Sequence, residues 1–150
     1  MRWTPETGRA IVDSVHIVER MTMLSTKHGF SGFSVRDIEA ARVFYGETLG
    51  LAVKLNEMGI LDITLPGGAA VIAYPKEDHA PAVFTILNLV VDDIDVAVDE
   101  LAAAGVSMER YEGMPGQDEK GVLRGKAANR GPDIAWFLDP SGNILSVLAD

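Results

Sequence analysis

The sequence predicts an α+β fold: two tandem βαβββ units forming a curved mixed sheet with a helix behind each half. Three observations predict it. First, FSGFSVRDIEAARVFYGETLGL returns at a constant offset as FTILNLVVDDIDVAVDELAAAGV, aligning Val35 with Val91, Asp37 with Asp93, Ile38 with Ile94 and Ala41 with Ala97. Second, each copy passes from an apolar strand through an aspartate into a helical pattern that stops at a glycine. Third, each helix is followed by three segments of β-like composition.

The elements follow in chain order. Residues 1–27 precede the patterned region and read as an N-terminal arm or extension, in which IVDSVHIV fits either a short helix or a strand. Residues 28–150 read as one domain, with βαβββ units at about 28–75 and 83–150. Asp37 and Asp93 suit helix N-caps, because a carboxylate accepts from the unpaired first-turn amides and complements the helix dipole. Gly50 and Gly105 suit the left-handed residue that ends a helix. In the second helix Ile94, Ala97, Val98 and Leu101 share one face at helical spacing, with Asp95 and Asp99 toward solvent. The strands after the first helix are LAVKLNE, ILDITLP and AAVIAYP, divided by turn signals at Met58-Gly59 and Pro66-Gly67-Gly68. Those after the second are VSMERYE, DIAWFLD and NILSVLA, the first two divided by a glycine-rich charged loop. Asp139-Pro140-Ser141-Gly142 is a tight turn with proline at its second position.

Composition excludes several functions. With 47% hydrophobic and 23% charged residues the chain is ordinary globular protein, not a disordered one. It has no cysteine, which removes disulfides, thiolate metal sites and cysteine nucleophiles. A net charge of −9 repels nucleic acid and anionic membranes and favours cationic or neutral partners. No apolar run is long enough to span a membrane. Asp13, His16 and Glu19 interrupt the stretch that a signal peptide needs, so a cytoplasmic location is expected. GFSGF lacks the last glycine of a nucleophile elbow, and His16, His28 and His79 carry no sequence sign of a triad. No phosphate-binding loop is present.

VRDIEAARVFYGETLGL near the start and WFLDPSGNILSV near the end, set in duplicated strand–helix–three-strand units, resemble the vicinal oxygen chelate superfamily. That group contains glyoxalase I, extradiol dioxygenases, and fosfomycin- and bleomycin-resistance proteins. The FYxxxLG helix end and the DPxGN turn carry the resemblance, which covers about residues 28–150. It implies a fold more than a reaction, since one fold hosts many chemistries.

The resemblance also implies where metal ligands would lie. The family's ligand positions fall on Phe30 in the opening strand, near Ala73 in AAVIAYP, on Ile86 in the repeated strand, and on Ser146 where a glutamate is usual. Three of these side chains have no donor and a protonated serine is a poor one, so no metal and no cofactor are expected. A shifted site using His28 with Asp150 is the alternative, and would make the protein a metal-dependent lyase, isomerase or dioxygenase with displaced ligands.

Period-2 alternation groups those four positions with Val71, Phe84, Asn88, Ile144 and Leu148, near Tyr74 or Trp136. The group fits either an open apolar pocket, with Asn88 and Ser146 as its hydrogen-bonding points, or a filled core. The expected ligand-binding set is Phe30, Ala73, Phe84, Ile86, Asn88, Trp136 and Ser146. Arg124, Lys126 and Arg130 fit a lid over an anionic group or a solvated loop. The expected function is a metal-free protein, similar to the bleomycin-resistance branch, that holds or sequesters a partly apolar small molecule, neutral or cationic, in the concave sheet or a dimer groove. A homodimer with grooves between its chains is implied by the resemblance alone. A structural or regulatory module with a closed cavity is the remaining reading.

Overall fold

A computed structural model describes residues 23–150, so all but the last few residues of the expected N-terminal arm lie outside the described residues. The first unit runs β1 (Ser31–Val35), α1 (Ile38–Arg42), a π-helical continuation (Val43–Thr48), β2 (Ala52–Leu55), β3 (Leu61–Thr64) and β4 (Ala70–Pro75). The second runs β5 (Thr85–Val90), α2 (Ile94–Ala103), β6 (Leu123–Arg124), β7 (Asp133–Leu138) and β8 (Ile144–Ala149). The strand orders are β1-β4-β3-β2 and β5-β8-β7-β6, so the two units repeat one topology. In each, the first strand runs parallel to the last and the remaining pairs are antiparallel. The edge strands β1 and β5 flank a cleft instead of pairing, which leaves two four-stranded mixed sheets.

The helix starts follow from their caps. Asp37 accepts from the amides of Glu39 and Ala40, and Asp93 from those of Asp95 and Val96, both in nearly the same extended conformation. Gly50 and Gly105 take positive φ angles of 71° and 85°. A glycine is also required inside the first helix. A Cβ on Gly46 would lie 2.6 Å from Val53 Cγ2, so the bare backbone is what lets the π-helical turn lie against β2.

One face of each sheet packs on its helix. Phe33, Val35, Leu61, Ile63, Val71 and Ala73 from the first sheet join Leu87, Ala135, Phe137, Leu145 and Val147 from the second in one continuous core. The helices add Ala41, Phe44, Tyr45, Ile94, Val98 and Leu101. Full burial of each large apolar side chain contributes about 1.5–3 kcal/mol.

Two expectations change. VSMERYE is not a strand of the sheet: it makes one isolated bridge, Met108 to Phe137, and the partner of β7 is instead the short β6 inside the glycine-rich loop. The Gln117 side chain takes up the backbone of the expected strand, donating to Glu109 O at 3.1 Å and accepting from Tyr111 N at 2.9 Å. The second change concerns side-chain direction in β4. Ala73 pairs with Phe33 and Val71 with Ser31, so Val71 and Ala73 point into the core and Ile72 and Tyr74 take the opposite face.

Candidate functional site

The faces turned away from the helices form the candidate site. On the second sheet, Asn88 is paired with Ser146 and Ser146 with Trp136, which sets the three side chains in a row across β5, β8 and β7. Ser146 is fully buried and its hydroxyl donates to Asn88 Oδ1 at 2.6 Å. That bond satisfies the serine and leaves the amide NH2 of the exposed Asn88 turned away from it.

Beside this row is a cavity of about 450 Å³ whose lining includes Phe84, Tyr111, Met114, Trp136 and Ile144. Tyr111 and Trp136 meet edge to face, with centroids 5.6 Å apart and planes at 81°. Three aromatic rings, a thioether and aliphatic walls suit an apolar or cationic group, which gains from ring faces without needing a counter-charge. Burial, and then the negative charge of Glu109, push the Tyr111 phenol above its usual range, so it remains a neutral hydroxyl at physiological pH.

The structure divides the sequence-derived set. Asn88, Ser146 and Trp136 share the row, while Phe84 and Trp136 share the cavity. Phe84 also lines the cleft between the sheets, with Ile86. Phe30 precedes β1 and is 59% exposed, its ring 6.4 Å from that of His28. Ala73 is fully buried among the core side chains, so its expected place on the open face is corrected: Ile72 and Tyr74 occupy that face at this level. Sequence reasoning missed Tyr111 and Met114, because a segment read as a strand gives no sign that its chain folds back over Trp136.

The lid expectation is corrected for one residue. Arg124 is tied down, reaching Asp95 with both terminal nitrogens at 2.7 and 2.9 Å and Asp118 at 2.9 Å. Lys120 joins the network through Asp95 and Asp99, each at 3.0 Å. Hydrogen bonds from Arg124 and then Lys120 hold the Asp95 carboxyl well below the usual carboxylate range.

A second pair of motifs joins the two units. Tyr45, from FYxxxLG, donates its phenol to Asp139, from DPxGN, at 2.7 Å. Asp139 also accepts from the amides of Ser141 and Asn143 and from Asn143 Nδ2, each at 2.9 Å. Burial, reinforced by the neighbouring carboxylate, pushes the Tyr45 phenol far above its usual value, so it stays a donor. Asn143 Nδ2 also donates to Ser34 O at 2.9 Å.

Residues 16–147 match the family model for the Glyoxalase/Bleomycin resistance protein/Dioxygenase superfamily. The chain belongs to this superfamily. Among solved structures, a glyoxalase/bleomycin resistance/dioxygenase superfamily member from Sphaerobacter thermophilus DSM 20745 shares 25% identity, with a TM-score of 0.60 over 85% of this chain and 100% of its own. An integron cassette protein from the mobile metagenome of the Halifax Harbour sewage outfall shares 20%, with a TM-score of 0.59 over 83% and 100%. The fosfomycin resistance protein FosX from Listeria monocytogenes has the same fold at 11% identity, with a TM-score of 0.59 over 85% and 95%. No curated protein matches.

Glyoxalase-superfamily folds imply a metal in many members, and the donor set here does not fit one. Phe30, Ile86 and Ser146 offer no imidazole or carboxylate, and neither do Ile72 and Tyr74 at the level of the misplaced Ala73. Among the described residues, no three His, Asp or Glu side chains come together in a metal-binding group. No helix among them is long and apolar enough to cross a membrane.

Proposed function

We propose that this superfamily member is a metal-free small-molecule binding protein that holds a partly apolar, cationic ligand on the open face of its second sheet. The observation that carries the reading is the aromatic cavity of about 450 Å³ beside the Asn88–Ser146–Trp136 row, where the superfamily's usual carboxylate is replaced by a serine already bonded to Asn88. Trp136, Tyr111 and Phe84 supply ring faces, Met114 and Ile144 supply apolar wall, and Asn88 supplies an amide N–H to orient the ligand. The −9 charge draws a cation toward the cavity. Its binding as a homodimer is part of the same reading, supported by the exposed apolar side chains Phe30, Phe84 and Val90. So is a cytoplasmic location.

Isothermal titration against a panel of planar aromatic cations, paired with elemental analysis of the purified protein, tests this. Saturable binding without stoichiometric metal is expected. Tyr111→Ala should weaken it roughly tenfold, as about 1–2 kcal/mol of cation–π contact is lost. Stoichiometric metal that disappears in His28→Ala would replace the reading with the metal-dependent lyase, isomerase or dioxygenase.

A further inference from the structure

Ser34, on the wall of the cleft between β1 and β5, is bonded to a buried histidine, and the binding reading uses neither. Ser34 Oγ lies 2.7 Å from His79 Nδ1. On the other side of the ring, His79 Nε2 lies 3.0 Å from the backbone carbonyl oxygen of Ser141. A carbonyl can only accept, so in the neutral ring Nε2 carries the proton and Nδ1 presents its lone pair to Ser34. The hydroxyl is therefore the donor. A hydroxyl, an imidazole that accepts its proton, and a third group that fixes the tautomer make up the arrangement that activates a serine nucleophile.

The surroundings suit the same chemistry. His79 is buried, with only 9% of its surface exposed, and is wedged between β1 and the β7–β8 turn, so its ring is positioned before any substrate arrives. Ser34 is half-buried and lines a cleft of about 310 Å³ whose other walls include Val71, Ala82, Phe84 and Ile86. β1 is an edge strand, and Asn143 Nδ2 reaches Ser34 O from the side away from β4. In a strand the N–H and C=O of one residue point the same way, so Ser34 N–H also points to that side, where it can meet negative charge on a carbonyl oxygen.

The geometry points to Ser34 and His79 as a nucleophile–base pair that hydrolyses carboxylic esters carrying a small apolar acyl group. Ser34 Oγ bonds to the ester carbonyl carbon as its proton passes to His79 Nδ1. The C–O bond to the alcohol breaks, and the alcohol leaves with that proton. Water then gives a proton to Nδ1 while its oxygen bonds to the acyl carbon. The acid departs and Ser34 recovers its proton. No metal, oxidant or cofactor enters the balance, and the inference is independent of what occupies the aromatic cavity.

The full chain treated with a fluorophosphonate probe and mapped by peptide mass spectrometry tests the pair. One adduct on Ser34 is expected, with hydrolysis of p-nitrophenyl butyrate that Ser34→Ala abolishes. His79→Asn, which keeps an acceptor but supplies no base, should slow labelling at least tenfold. The pair is overturned by an absence of adduct on Ser34, by equal labelling of Ser31 or Ser141, or by full-rate labelling of His79→Asn. The adduct map of the unmodified protein decides the matter even if neither variant folds.

Discussion

Tyr45 and Asp139 are 94 residues apart and meet through one short hydrogen bond inside the core. Removing the phenol oxygen leaves Asp139 Oδ2 with only Asn143 Nδ2. Tyr45→Phe should therefore cost about 1–3 kcal/mol in urea unfolding, the range for a buried acceptor deprived of a charge-assisted partner. Gly46→Ala belongs to the same scale. Its methyl would overlap Val53 Cγ2, and the resulting overpacking should cost about 1–3 kcal/mol by the same measurement. Both motifs that hold these residues were visible in the sequence. Their contact was not, because nothing in FYGETLG or DPSGN specifies a partner so distant along the chain.

At the scale of elements, the helices were the most legible part. Asp37 and Asp93, with Gly50 and Gly105, mark starts and stops by chemistry that is local and independent of tertiary packing. The strands that failed depend on non-local choices. In AAVIAYP both alternating sets are apolar, so the pattern cannot say whether Ile72 or Ala73 faces the core; pairing with Phe33 decides it. The glycine-rich loop concealed β6 and the folding back of Tyr111, both fixed by Gln117 and by Gly121 lying against Met108. The same loop is fastened to α2 by Asp95, Lys120, Arg124 and Asp118. Asp95→Asn should raise amide hydrogen exchange across residues 118–124 while leaving β8 protected. Because the Asp95 carboxyl is held below its unfolded value, the fastening is complete above the ordinary carboxylate pKa and is lost as pH falls through the depressed folded value. The loop's protection against exchange, taken relative to the intrinsic amide rate at each pH, should thus fall on acidification, and added salt should shrink the effect, since the Asp95 side chain is 46% exposed.

For the whole molecule, the duplicated topology predicts two units, yet the contacts argue for one cooperative body. Phe44 and Phe137 pack with centroids 6.3 Å apart, Arg36 N donates to Ser141 Oγ at 2.8 Å, and Asn143 reaches Ser34. Native-state hydrogen exchange should then give β1 and β8 the same opening free energy. Separate values for the two strands would mean that the units open independently.

The Tyr45–Asp139 bond also has a bearing on synthesis. A polypeptide emerging from the ribosome N-terminus first presents α1 long before Asp139 exists, so Tyr45 has no acceptor to accompany it into a dry interior. The first unit therefore lacks the interior acceptor of its tyrosine until the DPSGN turn has left the exit tunnel.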